Sequence, residues 1–161
     1  MKLRYYLAAA LLICFAGFAQ AQEKFIQTFN PGSLQQILRE NAAQPFVLAI
    51  WSVDCPSCLK DMMVVNEIRQ KHPDLKIIML STDEPTAMQT VKGILARNDL
   101  MDVENWIFGT IDAQKLRYEI DPSWYGELPR TYFYNASGNR TAKSGALRLD
   151  EFETLIAKIE H

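Results

Sequence analysis

The chain has 161 residues, 48% apolar and 22% charged, with a formal net charge of −2 at pH 7. That is about one domain, with enough apolar material for a sizeable core. The slightly acidic balance argues against a phosphate backbone or an anionic membrane surface as partner, since both call for a basic patch, and no nucleic-acid partner is expected.

Residues 1–21 read as a secretory signal. Lys2 and Arg4 supply the positive start, Leu7 to Ala19 is an apolar run, and Ala19 and Ala21 are small residues before a cleavage site at Gln22. The run falls short of the ~20 residues needed to cross a bilayer, so cleavage is favoured over an uncleaved anchor. Cys14 follows the bulky Ile13 inside that run and reads as an ordinary leader residue, not a lipid-bearing one. The expected product is residues 22–161, one exported domain in the oxidising periplasm, where disulfides persist. The leader carries two of the 17 basic residues and none of the 19 acidic ones, so its loss makes the remainder more acidic.

Phe25 to Phe29 predicts a short opening strand, and Leu34, Ile37 and Leu38 fall at helical spacing, with Ser33 as a cap. Phe46 to Trp51 is a continuous apolar run of the length and kind expected for a strand buried on both faces. Pro56 to His72 predicts a helix, with Met62, Val65, Ile68 and Arg69 in period and Pro73 as its stop. Leu75 to Leu80 follows as a second buried strand. Ser81-Thr82-Asp83-Glu84-Pro85 then opens a helix to about Asn98, with Met88, Val91 and Leu95 on its apolar face. Asn105 to Thr110 predicts a short strand and Asp112 the cap of a helix ending near Ile120. Arg130 to Tyr134 and Arg140 to Lys143 form a hairpin around Asn135-Ala136-Ser137-Gly138, and a final helix carries Phe152, Leu155, Ile156 and Ile159. Strands alternating with helices, closed by a hairpin, make an α/β sandwich around a mixed sheet.

Without the leader the chain holds two cysteines, Cys55 and Cys58, in Cys-Pro-Ser-Cys. Pro56 suits the first helical position because its missing N–H would be unpaired there anyway. Cys55 then occupies the N-cap, where free backbone N–H groups and the helix dipole favour a thiolate. Cys58 lies one turn further in and is expected to be more buried. Cys55 is thus the expected attacking sulfur, and Cys58 the one that resolves the mixed disulfide. The alternative is an inert staple. A bridge closing about four residues stabilises by roughly 2 kcal/mol, against about 4.7 kcal/mol for a 100-residue loop, so redox chemistry explains the pair better. A structural zinc site wants four ligands. The histidines are His72 and His161, and His72 stands ~21 Å from Cys58 along the same expected helix, so no metal is expected.

Four features now resemble one family. They are a buried strand ending at Trp51, four residues before Cys55; the Cys55-Pro56-Ser57-Cys58 motif; a helix and strand over about Pro85 to Thr110; and Tyr125-Gly126-Glu127-Leu128-Pro129-Arg130-Thr131 leading into a strand and a Gly turn. The chain from Phe46 to Ile159 resembles the thioredoxin superfamily and, within it, the exported TlpA/ResA-like thiol–disulfide oxidoreductases, whose cytochrome c maturation branch carries the similar Cys-Pro-Thr-Cys. The resemblance implies a thioredoxin-like fold with an added helix–strand unit. It implies that Pro129 is cis, and that Leu128, Glu127, Pro129 and Trp51 form the substrate groove, with the backbone before Pro129 pairing with the client chain. Trp124 and Tyr125 fit either that groove or the core. Asp61 stands three residues after Cys58, where the family often has a Glu that moves protons at the dithiol. At that spacing contact with the Cys58 region is reasonable, although a first-turn acid also simply suits the helix dipole.

Two positions depart from the family pattern. Ala49 replaces the buried Asp of plain thioredoxins, and Asp54 replaces the usual Trp before the first cysteine. A negative charge beside Cys55 opposes its thiolate and makes the disulfide harder to reduce, which points to a reductant. The resemblance further implies no organic cofactor, a membrane thiol donor upstream, and protein disulfide substrates such as apocytochrome c or copper-site assembly proteins, with a monomer favoured. A disulfide oxidase or isomerase is the enzymatic alternative. A copper chaperone is the non-catalytic one, since a dithiolate suits Cu(I), but the copper-delivery relatives use Cys-x-x-x-Cys with a distant His. A peroxidase is disfavoured because Cys55 lacks the Thr-x-x-Cys context.

Overall fold

In the computed structural model, which describes residues 26–160, the chain runs β1 (Gln27–Phe29), α1 (Ser33–Glu40), β2 (Phe46–Trp51), α2 (Pro56–Lys71), β3 (Lys76–Ser81), a 3-10 turn (Pro85–Ala87), α3 (Met88–Arg97), β4 (Glu104–Phe108), α4 (Ala113–Ile120), β5 (Arg130–Tyr134), β6 (Arg140–Ser144) and α5 (Leu149–Ala157). The expected leader with Cys14, and also Phe25 and His161, lie outside the described residues. Among the described residues no helix is long and apolar enough to cross a membrane.

β2 is buried at every position, and its side chains divide by alternation between two cores. Val47, Ala49 and Trp51 face a cluster completed by Cys58, Met62, Val65 and Ile68 of α2, Val91, Ile94 and Leu95 of α3, and Phe152 and Ile156 of α5. Phe46, Leu48 and Ile50 face a second cluster with Leu34 and Ile37 of α1 and Leu116 and Ile120 of α4. A strand covered by helices on both faces reads as a continuous apolar run. The six-stranded mixed sheet has the order β1-β4-β3-β2-β5-β6. β1 to β4, β4 to β3 and β3 to β2 are parallel pairs, while β2–β5 and β5–β6 are antiparallel. The helix and strand expected over about Pro85 to Thr110 are present as α3 and β4, and β4 is inserted between β1 and β3.

Three local expectations are corrected. The first concerns Ser33, which is not the cap of α1. Gly32, at φ 91°, takes the N-cap, and the Ser33 hydroxyl turns back to accept the Asn30 N–H at 2.9 Å. The second is the opening of the α3 segment, which is a 3-10 turn closed by Ala87 N–H to Glu84 C=O, because the first turn after Pro85 tightens before the α-helix starts at Met88. The third concerns strand bounds: β3 lies one residue later, at Lys76–Ser81, and β4 starts one residue earlier and ends two earlier, at Glu104–Phe108. Asp112 does cap α4, its carboxylate accepting the Gln114 N–H at 2.9 Å. The hairpin also turns where expected: Gly138 adopts φ 78°, and the Asn135 side chain accepts the Ser137 and Asn139 N–H groups.

Parallel β2, β3 and β4 end at one edge of the sheet, and antiparallel β5 begins there. Trp51 pairs with Ser81, and Ile50 with Arg130, so the segments after β2 and β3 and the segment before β5 converge. A polar cluster anchors that segment. Asp121 accepts hydrogen bonds from Ser123 Oγ (2.6 Å), Tyr132 Oη (3.0 Å) and Arg130 Nη2 (3.1 Å), and Arg140 stands 3.5 Å away. Both guanidiniums also lie within 5 Å of the centre of the Tyr132 ring, at 4.9 and 4.8 Å. Burial by itself raises the Asp121 carboxyl, but the Ser123 and Tyr132 bonds and the Arg140 charge outweigh it and bring it down to about 2. Asp121→Ala leaves two guanidiniums without their shared counter-charge. A loss of about 3 kcal/mol is expected, read as a lower urea midpoint with unchanged slope.

Candidate active site

The tight link from β2 to α2 places the dithiol. Cys55 is the N-cap of α2 in an extended conformation, with Pro56 at the first helical position and no acidic residue in the first turn. The Cys55 N–H donates to Ser52 C=O at 3.2 Å, its C=O accepts the Leu59 N–H, and its sulfur accepts the Cys58 N–H at 3.2 Å. Cys55 and Cys58 are joined as a disulfide, with Cα atoms 5.2 Å apart. The two sulfurs have unlike surroundings: Cys55 is half-buried, whereas Cys58 is 1% exposed within the apolar cluster. Asp54 is exposed immediately before the pair.

Asp61 lies on the buried side of α2 at i+3 from Cys58 and is 5% exposed. One carboxylate oxygen accepts the Leu147 N–H at 2.9 Å, across 86 residues of sequence. Burial pushes the Asp61 carboxyl up to about 6, and the Leu147 bond opposes that rise only in part. A buried carboxyl that titrates near neutrality, one turn from the Cys58 sulfur, is able to take and return a proton.

The segment before β5 reaches the same edge. The Leu128–Pro129 peptide is cis, and Pro129 is buried with its C=O accepting the Gly145 N–H at 2.9 Å. Leu128 packs against both cores, and within the described residues no hydrogen bond engages its N–H or C=O. Glu127 is turned toward the hairpin: its carboxylate accepts from Ser144 Oγ (2.7 Å) and Arg130 (3.4 Å), and its C=O accepts the Trp124 indole N–H at 2.9 Å. The Ser144 bond is the main reason its carboxyl sits below the usual range. Trp124 and Tyr125 part company, since Trp124 is a core residue and Tyr125 is 94% exposed. Trp51 is 2% exposed in the same apolar cluster as Cys58, with its indole N–H unpaired.

Sequence reasoning missed Asp83. Its half-buried carboxylate accepts Ser52 Oγ–H at 2.8 Å, the Val53 N–H at 3.0 Å and Ser81 Oγ–H at 2.5 Å. The adjacent Thr82 N–H donates to Trp51 C=O at 2.9 Å, so the β3 end grips the loop that leads to Cys55. No local signal connects Asp83 to a serine 31 residues earlier. Among the described residues no group of three or more His, Cys, Asp or Glu is placed to share a metal ion.

No protein-family model matches the chain, and no curated protein does. Solved structures do resemble it. A secreted Mycobacterium tuberculosis disulfide oxidoreductase, described as homologous to E. coli DsbE, superposes with a TM-score of 0.62 at 18% identity, over 74% of this chain and 85% of that one. A Chlorobium tepidum thiol:disulfide interchange protein of the thioredoxin family gives 0.62 at 10% identity, over 76% and 83%. StoA from Bacillus subtilis gives 0.53 at 17% identity, over 71% and 84%. The chain has the thioredoxin fold.

Proposed function

We propose that this chain is an exported thiol–disulfide oxidoreductase that works chiefly as a reductase of partner-protein disulfides. The observation that carries the reading is the asymmetric pair at the start of α2, one sulfur half-exposed on the helix N-terminus and the other buried behind it. In the reduced protein the Cys55 thiolate attacks one sulfur of a partner disulfide, and the partner's other sulfur leaves as a thiolate. Asp61 takes the proton of Cys58, whose thiolate then attacks Cys55. The Cys55–Cys58 disulfide forms, and the second partner sulfur departs and is protonated. Two electrons from a donor dithiol, expected on a membrane carrier, restore the reduced pair, and no organic cofactor is needed. The unengaged backbone of Leu128 beside cis Pro129 supports a role in holding the client strand, with Glu127 and Trp51 shaping the segment from the hairpin side and from the core. The expected leader supports export to the periplasm, and apocytochrome c is the client class that the Cys-Pro-Ser-Cys motif favours.

The reduction potential of the pair tests the direction of electron flow. The protein is equilibrated in thiol/disulfide buffers and the reduced fraction counted by alkylation, with 30 mV corresponding to about 1.4 kcal/mol. A potential below that of the glutathione couple is expected, because Asp54 opposes the Cys55 thiolate. A potential well above it makes the chain an oxidase or isomerase. A pair that never cycles in the folded protein makes it a staple.

A further inference from the structure

We propose that Asp83, acting through Ser52, is the positioning residue that keeps the Cys55 sulfur on the helix N-terminus once the disulfide is reduced; this rests on the redox role of the pair. The donors and acceptors around Asp83 leave little freedom. Asp83 N–H donates to Ser81 Oγ at 3.1 Å, so the Ser81 hydroxyl must give its own proton to the Asp83 carboxylate. The Asp54 N–H donates to Ser52 Oγ at 3.2 Å, so the Ser52 hydroxyl likewise points its proton at Asp83. Val53 N–H completes three donors on one carboxylate.

Ser52 is the hub of this chain of bonds. Its hydroxyl takes the Asp54 N–H and its C=O takes the Cys55 N–H, so the residue anchored by Asp83 holds both residues that lead into α2. In the oxidised protein the Cys55–Cys58 bond itself tethers Cys55 to the helix. Reduction removes that tether. The Ser52–Asp83 clamp then becomes the connection that fixes Cys55 against β3, and the thiolate-favouring contact with the Cys58 N–H depends on it. The clamp therefore acts on the reduced enzyme, the form that attacks partners.

The test is the rate at which iodoacetamide alkylates Cys55 in the reduced protein at neutral pH, resolved by mass spectrometry so that other thiols are counted separately. Melting midpoints of the oxidised and reduced forms are recorded alongside. Ser52→Ala removes the relay without changing charge and is expected to slow Cys55 about tenfold, as the sulfur loses its fixed place against the helix N–H groups that favour its thiolate. Ser52→Thr keeps a hydroxyl and is expected to restore most of the rate. In an Asp83→Ala background, Ser52→Ala is expected to cost less than about twofold, because the relay is already broken. If Asp83→Ala does not fold, Asp83→Asn, which retains one acceptor oxygen but loses the second, takes its place in the cycle.

A Ser52→Ala protein that alkylates at the wild-type rate overturns the proposal. So does an equal cost in both backgrounds, or a Ser52→Thr variant as slow as Ser52→Ala. A wild-type pair that does not cycle in thiol/disulfide buffers overturns the reading of the pair as redox-active and the proposal with it. Activated wild type with unaffected variants overturns the clamp alone.

Discussion

Replacing Cys58 with serine is expected to turn the protein into a trap. Cys55 stays half-exposed at the N-cap of α2 and still attacks a partner disulfide, but the buried sulfur that would release the partner is gone. Mixed disulfides through Cys55 should then accumulate and survive non-reducing electrophoresis, dissolving on addition of excess thiol. Turnover of a protein disulfide should fall to the uncatalysed background in Cys58→Ser and in Cys55→Ser alike, yet only the former should hold partners. The fold should survive both changes, because a bridge closing about four residues contributes roughly 2 kcal/mol on the chain-entropy account. A protein that used the pair to hold Cu(I) would behave differently: Cys58→Ser would lose the metal and capture nothing. Trapping by Cys55→Ser rather than Cys58→Ser would reverse the assigned roles and contradict the exposure of the two sulfurs.

The parts of this site that could be read from sequence are those set by neighbours along the chain. Pro56 and the Cys-x-x-Cys spacing place both sulfurs on the first turn of a helix, and the apolar run Phe46–Trp51 locates the central strand because burial on both faces leaves no polar position. Local pattern misled at Ser33, where Gly32 takes the cap because its φ of 91° suits glycine and the serine turns back to Asn30. It was silent wherever the partner lies far away in sequence. Ser52 meets Asp83 across 31 residues, and Asp61 meets Leu147 across 86. Trp124 and Tyr125 show the same limit within a dipeptide. Both are aromatic, but only the Trp124 indole finds an acceptor, Glu127 C=O, and it is the one that packs inside while Tyr125 stays in solvent. The family resemblance pointed to cis Pro129, which composition and periodicity had no means to do.

Asp61→Asn is expected to make the protein more stable and less active, the combination that separates a working carboxylate from a structural one. Burial raises the Asp61 carboxyl from 3.8 to about 6, which corresponds to at most about 3 kcal/mol against its charged form. The sign follows from proton counting. Between about pH 4 and pH 6 the folded state binds more protons than the unfolded chain, so wild-type stability falls as pH rises through that window and stays level above it. An asparagine carries no charge and keeps an oxygen to accept the Leu147 N–H. The oxidised variant should therefore exceed wild type by about 1–2 kcal/mol at pH 8, with the advantage fading below pH 5, as measured by urea midpoints across pH. The same change removes the group proposed to take the proton from Cys58. Release of a trapped partner should slow by ~10²-fold at neutral pH, while the first attack by Cys55, which needs no proton from Cys58, keeps its rate. Single-turnover kinetics separates the two steps. An Asn variant that is less stable than wild type at pH 8 and releases partners at the normal rate would leave Asp61 as no more than a tie to Leu147, because a carboxylate kept for that bond lowers stability when lost, whereas one kept for proton transfer raises it.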